Sequence, residues 1–302
     1  AALSAGVEHI YKTRNLRLST ACPQNFFEEY DPQNNLPAQI FLCSRNNGLA
    51  QPAYRFLFCA KGGGSSNKTS FLQCTKAVLN PAAFETLLRE QIARLGVSAC
   101  PPYTICVVAG GLRPEQNLYA LKLATCGECI APSDRFWEQK VMRIAEETGL
   151  GAQFGGRRMC IEAKVLRLPR HGASCPVSIG VSCSAHRNLN TFITTDGIYI
   201  EKTVRNPAEV PGFAEAVAYA AHGGTETRIS TDGGIAAVLQ QLHGLRPGSR
   251  LLLSGNILVA RDAAHAQWQA LLNAGKALPT YCTQYPICYA GPAQTPTGKP
   301  IG

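Results

Sequence analysis

Apolar and polar positions along this chain repeat with two periods, which predict a series of helices and strands. Apolar residues at helical spacing predict a first helix over 2–14. Asn80-Pro81 predicts the start of another, because asparagine is a good N-cap and proline suits the first turn. That helix should run to about Arg94 and stop before Gly96.

The remaining elements follow from the same two periods and from turn-forming residues. Further helices are predicted over 71–78, 114–123, 134–148, 235–242 and 263–274. Strands are predicted over 40–43, 54–59, 104–109, 164–168, 177–181, 197–201, 250–253 and 257–260. Loops are predicted over 44–52, as a polar hairpin, and over 62–66 and 290–302.

The composition changes between residues 205 and 228, where proline, glycine and small residues cluster. Such a segment is typical of a connection between domains. We therefore expect a domain over 1–204, a linker over 205–228 and a second domain over 229–302.

The chain has 302 residues, of which 45% are hydrophobic and 16% charged, and its formal net charge is +9. Three interpretations of the positive charge are an ordinary basic surface, a nucleic-acid site and a basic cleft for a dianionic acid. The first is favoured, with a contribution from the third. Nucleic acid is not expected as a partner, because the basic residues are scattered. No apolar run approaches the roughly 20 residues of a membrane span, so a membrane-spanning protein is not expected.

Thirteen cysteines occur without the spacing of a disulfide framework. A chain this long and apolar needs no disulfides to fold, so most of them are expected to be reduced core thiols in an intracellular, reducing compartment. The mitochondrial matrix is favoured over the cytosol. The sequence begins with Ala1 and carries no leader, which indicates a trimmed polypeptide and says nothing about its precursor.

A glycine-rich segment lies between the first long strand and the next element, at Lys61-Gly62-Gly63-Gly64-Ser65-Ser66-Asn67-Lys68. Consecutive glycines let backbone N–H groups approach a ligand closely, and the two lysines add positive charge, so a carboxylate or phosphate would suit the segment. The spacing excludes a nucleotide-binding P-loop. A flexible turn remains the alternative.

Two cysteines lie in loop contexts that could present thiolates to a metal. Cys100 precedes Pro101-Pro102-Tyr103, and Cys183 lies in Gly180-Val181-Ser182-Cys183-Ser184. The alternative for each is a buried apolar side chain. Cys126-Gly127-Glu128-Cys129 lacks the second pair of a zinc site and is interpreted as a coincidental loop pair.

Taken together, these segments resemble the class I fumarases, which are iron–sulfur hydratases. The resemblance rests on the glycine segment, on Leu168-Pro169-Arg170-His171-Gly172 and on the contexts of Cys100 and Cys183. It extends to Asn35–Ile40, to 151–156, to Ser254–Ala266 and to Tyr289–Ala293. It implies an α/β fold: an α/β N-terminal domain, a partial swivelling β/α C-terminal domain, an active site between the two, and a homodimer.

The resemblance also implies roles for particular residues. Cys100 and Cys183 would be two of the three cysteine ligands of a [4Fe–4S] cluster, whose open iron acts as a Lewis acid on malate. Gly62, Gly63 and Gly64 would bind the dicarboxylate substrate. His171 would act at the substrate, and Arg17 and Arg261 would each clamp a carboxylate. For each arginine a surface salt bridge is the alternative, and a structural role is the alternative for the histidine.

This chain departs from the family pattern at both ends. The motif of the family's first cluster cysteine, Cys-Gln-Asp-Thr-Gly-Thr, does not occur, and the sequence ends before the family's Thr-Thr-Ala-Gly-Arg segment. One hypothesis is a fumarase fragment that interconverts malate and fumarate at a cluster. The other is a fumarase-derived structural subunit of a larger, mitochondrial assembly with no cofactor. Tartrate and a methylated fumarate are neighbouring substrates.

Overall fold

The computed structural model describes residues 1–14, 16–43, 53–151, 158–221, 226–246 and 249–290. The chain divides into two compact units. One unit is Ser44–Thr203, and the other combines Ala1–Cys43 with Val204–Gly302.

Both units contain helices and strands. The helices are α1 (Ala2–Thr13), α2 (Gly63–Asn67), α3 (Pro81–Leu95), α4 (Pro114–Ala124), α5 (Arg135–Glu147), α6 (Phe213–Ala221), α7 (Gly234–Leu242), α8 (Asp262–Asn273) and α9 (Tyr281–Gln284). The strands are β1 (Cys22–Pro23), β2 (Glu29–Tyr30), β3 (Tyr54–Ala60), β4 (Thr69–Thr75), β5 (Tyr103–Gly111), β6 (Cys160–Arg170), β7 (Ser174–Cys183), β8 (Arg187–Ile193), β9 (Ile198–Ile200), β10 (Thr227–Ser230), β11 (Leu251–Ser254), β12 (Leu258–Val259) and β13 (Ile287–Cys288). The described residues also form 3₁₀ turns at Lys76–Leu79 and Pro207–Glu209.

A four-stranded sheet forms the centre of the Ser44–Thr203 unit, with the strand order β4-β7-β5-β6. β7 pairs antiparallel with both β4 and β5, whereas β5 and β6 run parallel. Tyr103 lies opposite Cys183 at one end of the β5–β7 pair, and Ala109 lies opposite Val177 toward the other. This register brings the start of β5 to the end of β7.

Helices cover both faces of this sheet, because successive residues of β5 point to opposite sides. Ile105 and Val107 belong to a core with buried residues of α3 and α5. Cys106 and Val108 belong to a second core with buried residues of α4. The α/β fold is therefore observed.

Helix α3 begins where the sequence predicts. The Asn80 side chain accepts hydrogen bonds from the backbone N–H groups of Ala82, at 3.0 Å, and Ala83, at 3.4 Å. The helix ends at Gly96, whose φ is +56°. The helices predicted over 2–14, 114–123, 134–148, 235–242 and 263–274 and the strands predicted from 54–59 onward are likewise present, with ends shifted by a few residues.

Three predicted elements are wrong. Residues 71–78 belong to β4 and to a 3₁₀ turn rather than to a helix, because β4 pairs with β7 along the seven residues Thr69–Thr75. Residues 62–66 are not a plain loop, since α2 begins at Gly63. Residues 40–43 form no strand. The hairpin predicted over 44–52 and most of the 290–302 tail lie outside the described residues.

A three-stranded antiparallel sheet, in the order β3-β8-β9, completes the Ser44–Thr203 unit. In the pairing of β3 with β8, Cys59 lies directly opposite Asn188. The strand β3 leads straight into the glycine segment.

In the second unit, the described residues form three two-stranded sheets. β1 and β2 are antiparallel, while β10–β11 and β12–β13 are parallel pairs. Residues 205–228 contain a 3₁₀ turn, α6 and the start of β10, so this segment has regular structure of its own, and the domain boundaries stay predictions. Across the described ranges, no helix is both long and apolar enough to cross a membrane.

Candidate active site

The β5–β7 register brings two predicted ligands to one edge of the sheet. Cys183 ends β7 opposite Tyr103, and Cys100 precedes Tyr103 by only two intervening prolines. The pKa of Tyr103 is raised to about 12, mainly by burial and also by the neighbouring Cys100 and Cys183 thiols. Both sulfurs therefore lie close to the same phenol.

Hydrogen bonds from Tyr103 hold the loop that carries Cys100. The phenol donates to the carbonyl of Gly96 at 3.1 Å and accepts from the backbone N–H of Ala99, also at 3.1 Å. The Cys100 N–H donates to the Val97 carbonyl at 3.1 Å. Cys100 itself has a φ of +63°, a left-handed conformation that costs a non-glycine residue roughly 1–2 kcal/mol. Such strained residues cluster at functional sites.

The glycine segment packs against this loop and against Cys183. A Cβ on Gly64 would lie 3.6 Å from the Ser98 carbonyl oxygen. The Lys68 ammonium donates to the Ser98 hydroxyl at 3.1 Å. On the other side, the buried Ser65 hydroxyl lies 3.8 Å from Sγ of Cys183. We call Cys100, Cys183 and the glycines Gly62–Gly64 the two-cysteine site.

Neither backbone conformation nor packing within the described residues requires glycine at positions 62, 63 and 64. None of the three has a positive φ. A Cβ at Gly62 would come no closer than 3.9 Å to another atom, one at Gly63 would meet nothing within 4 Å, and one at Gly64 would make ordinary contacts. Glycine in a helix is less stable than alanine by about 0.5–1 kcal/mol. The three residues leave an exposed stretch of backbone with no side chain in front of it.

A cavity of about 200 Å³ lies between α2 and α4, beside the two-cysteine site. Its polar lining comes from Ser66, Asn67, Thr69, Lys122 and Thr125. The Lys122 ammonium donates to the Ser66 carbonyl at 2.9 Å, which ties α4 to the glycine segment.

His171 lies away from these residues. It occupies the short connection between β6 and β7, which passes the end of the intervening strand β5, whereas Cys183 is the last residue of β7. A ten-residue strand is about 33 Å long, so the connection and the two-cysteine site are at opposite ends of the sheet. In the connection, the Arg170 guanidinium donates to the carbonyls of His171 and Gly172, each at 2.8 Å, and the His171 ring accepts from the Ala173 N–H at 3.3 Å.

Arg17 and Arg261 belong to the other compact unit. Arg17 is exposed and follows α1 in a segment without regular structure. Arg261 is the N-cap residue of α8, and its guanidinium carbon lies 5.8 Å from the centre of the Tyr289 ring.

Two thiols, those of Cys100 and Cys183, lie near each other as candidate metal ligands. Within the described part of the chain, no three His, Cys, Asp or Glu side chains come together in a way that could hold a metal ion. The donor type and the loop position of Cys100 suit thiolate ligation of iron, and so does the position of Cys183 at a strand end. The pair fits as part of a cluster site and not as a complete one.

Several residues of the site were missed at the sequence level. Ser65, Ser98 and Tyr103 connect the glycine segment to the two cysteines, and only strand register reveals those contacts. Cys59 and Cys126 also proved to be neighbours, with their thiols hydrogen-bonded. A Cys-x-x-Cys spacing drew attention to Cys126, but nothing in the sequence links it to Cys59.

The Ser44–Thr203 unit is thus an α/β domain that brings two cysteines and a glycine segment to one edge of its central sheet. The sequence model described as Fumarate hydratase (Fumerase) matches residues 1–191, and that described as Fumarase C-terminus matches residues 197–302. The chain therefore belongs to the fumarate hydratase family, and its similarity is to the class I members.

Curated relatives match nearly the whole chain. "Fumarate hydratase 2" of Leishmania major is 41% identical over 99% of this chain and 54% of its own length. "Fumarate hydratase 1, mitochondrial" of the same organism is 40% identical over 100% of this chain and 56% of its own. "Fumarate hydratase class I, anaerobic" of Escherichia coli (strain K12) is 42% identical over 99% and 56%. The chain thus spans just over half the length of these relatives.

Proposed function

We propose that this chain is part of a fumarase-type hydro-lyase that interconverts malate and fumarate. The observation that supports this proposal most strongly is the meeting of Cys100, Cys183 and an open glycine backbone at one edge of the sheet. Names of relatives at about 40–42% identity point to the same activity. Tartrate and a methylated fumarate are alternative substrates of the same chemical class.

Cys100 and Cys183 would hold a [4Fe–4S] cluster as two of its thiolate ligands. When bound, such a cluster supplies a Lewis acid for the hydroxyl and one carboxylate of malate. A third thiolate would come from a part of the relatives' length that this sequence does not span. Tyr103 would fix the Cys100 loop through its two backbone hydrogen bonds, and Ser65 would fix the glycine segment against Cys183.

The glycine segment would bind a substrate carboxylate through its exposed backbone. Backbone N–H groups at Gly62–Gly64 have no side chain in front of them, so a carboxylate can approach closely. Lys68, held by Ser98, adds positive charge nearby. Arg17 and Arg261 would bind carboxylate in bidentate fashion, a geometry that guanidinium groups favour.

His171 would complete a site on a second copy of the chain. The connection between β6 and β7 is about 33 Å from Cys183 along β7, too far for both residues to touch one small dicarboxylate. In a homodimer, the segment around His171 of one copy could lie at the two-cysteine site of the other. Both residues would then act on the same substrate. A test is to mix His171→Asn subunits with Cys183→Ser subunits: partial recovery of activity supports the shared site, and no recovery contradicts it.

We further propose an intracellular, reducing location, with the mitochondrial matrix preferred. The thirteen cysteines lack the spacing of a disulfide framework, and one Leishmania major relative is named as mitochondrial. Cell fractionation with an antibody to the chain tests the location. Disulfide-bonded protein in a secreted fraction would contradict it.

Anaerobic absorption and EPR spectroscopy of the natively purified protein, with malate added in steps, tests the activity. Cluster signals that shift with malate are the expected result. Protein that stays colourless and iron-free after reconstitution in its native assembly would overturn the proposal and favour the hypothesis of a structural subunit.

A further inference from the structure

Cys59 and Cys126 form a pair of neighbouring thiols for which the proposed hydratase chemistry has no use. Cys59 is exposed on β3, and Cys126 follows the end of α4 with 6% of its surface exposed. Asn188 lies directly opposite Cys59 in the β3–β8 pair, and its side-chain N–H donates to the Cys126 carbonyl at 2.6 Å. The same asparagine thus holds both cysteines, and their thiols are hydrogen-bonded to each other.

Two lysines also lie close to Cys126. Lys61 follows β3, and its ammonium donates to the hydroxyl of Thr125 at 2.8 Å, next to Cys126. Lys122 lies one turn earlier on α4, and its charge also acts on the Cys126 sulfur. Two positive charges therefore face one thiol.

This environment separates the acidities of the two thiols. The pKa of Cys126 is lowered to about 6, first because the Cys59 thiol donates a hydrogen bond to its sulfur, and then because Lys61 and Lys122 are near, although burial opposes the shift. The pKa of Cys59 is raised, mainly because its thiol is the donor in that bond. At neutral pH the pair holds one thiolate and one thiol, and the thiolate is the nucleophile.

Cys129 does not belong to this pair, in spite of the Cys-x-x-Cys spacing. The charged groups that act most strongly on it are Lys164, Glu138, Glu162 and Glu128. Among the described residues, no third ligand joins Cys59 and Cys126 to make a metal site. The arrangement fits covalent chemistry between two sulfurs better than metal binding.

We propose that Cys59 and Cys126 are a hydroperoxide-sensitive modification site that closes to an intramolecular disulfide. The Cys126 thiolate attacks one oxygen of the peroxide, the O–O bond breaks, and hydroxide leaves as a sulfenic acid forms. Hydroxide takes the Cys59 proton and becomes water. The Cys59 thiolate then attacks the Cys126 sulfur, and the S–O bond breaks with loss of a second hydroxide. Both sulfurs are oxidised and the peroxide is reduced.

The test is a disulfide map of the natively purified protein after brief treatment with hydrogen peroxide. Trypsin places Cys59 in Phe56–Lys61, with no other cysteine, and Cys126 and Cys129 together in Leu123–Arg135. Cleavage after Glu128 then separates Cys126 from Cys129. The expected product is a crosslink between the peptide of Cys59 and the fragment that carries Cys126.

Two variants test which cysteine is the partner of Cys126. Cys129→Ser should leave the crosslink unchanged, whereas Cys59→Ser should abolish it and leave Cys126 as a sulfenic acid that a dimedone probe labels. A disulfide between Cys126 and Cys129, or slower oxidation of Cys126 than of the exposed Cys288, would overturn the proposal. Because the readout is a peptide mass, it is independent of cluster content and of hydratase activity.

Discussion

The Ser65 hydroxyl lies 3.8 Å from the sulfur of Cys183 and 3.1 Å from the carbonyl oxygen of Gly62. One buried side chain therefore touches both the end of β7 and the start of the glycine segment. This contact couples the position of a candidate cluster ligand to that of a candidate substrate loop. A change on either side should be measurable on the other.

Replacement of either candidate ligand should remove iron. Cys100→Ser and Cys183→Ser are expected to lose most of the bound iron in the native assembly, because a thiolate ligand is replaced by a much weaker donor. Cys288→Ser is the matched control, since Cys288 is exposed and belongs to the other unit. The measurement is the amount of iron per chain, determined by mass spectrometry of the metal. Equal iron in all three variants would contradict the ligand assignment.

The glycine segment should tolerate a methyl group structurally and fail to bind substrate normally. Gly64→Ala is expected to keep or slightly raise the free energy of unfolding, because Cβ makes only ordinary contacts there and glycine is unfavourable in a helix by about 0.5–1 kcal/mol. Malate binding, followed by titration calorimetry, should weaken.

Gly6→Ala serves as the control for Gly64→Ala. Gly6 lies in α1 with nothing within 4 Å of its Cβ position. We expect the same small gain in stability from it without loss of malate binding. Unfolding of the protein by Gly64→Ala would contradict the room for a methyl group at that position.

The close approach of β5 and β6 should depend on Gly110. Its φ is +100°, and a Cβ there would lie 2.2 Å from the Leu168 carbonyl oxygen. Gly110→Ala is expected to lower the free energy of unfolding by about 1–3 kcal/mol through backbone conformation alone, with the clash adding to that loss. Gly172→Ala, at an open position in the connection between β6 and β7, should change it little. Urea unfolding of the two variants compares them directly.

The N-cap of α3 should contribute measurably to stability. Asn80→Ala removes the acceptor for the Ala82 and Ala83 N–H groups and should cost about 1 kcal/mol. Asn80→Asp, which can accept the same bonds, should restore most of the loss. Thermal unfolding followed by circular dichroism measures both, and equal destabilisation by the two variants would argue against capping as the cause.

The rate of disulfide formation between Cys59 and Cys126 should rise as the pH increases through about 6 and then level off, because the Cys126 thiolate is the reactive form. The groups that face it are Cys59, Lys61, Lys122 and Thr125. Lys61→Met removes a positive charge that favours the thiolate, so the pKa should rise and the midpoint should move to higher pH. Lys140 is the control: its ammonium pairs with Glu85, so Lys140→Met should leave the midpoint unchanged.

Local signals were sufficient where a few neighbouring residues determine the backbone. Asn80 and Gly96 delimit α3 by capping and by a left-handed terminus, and both signals are visible in the sequence. The segment over 71–78 was predicted incorrectly as a helix, because its pairing with β7 outweighs its local preference.

The sequence by itself determined the family, the helices with capping signals and the residue types of the candidate site. These depend on short motifs and on local periodicity, which survive without knowledge of the fold. Only the tertiary structure decided that Cys100 and Cys183 meet at Tyr103, that His171 lies at the far end of β7, and that Cys126 pairs with Cys59 rather than with Cys129. Each of these depends on strand register, which brings together residues that are far apart in the chain.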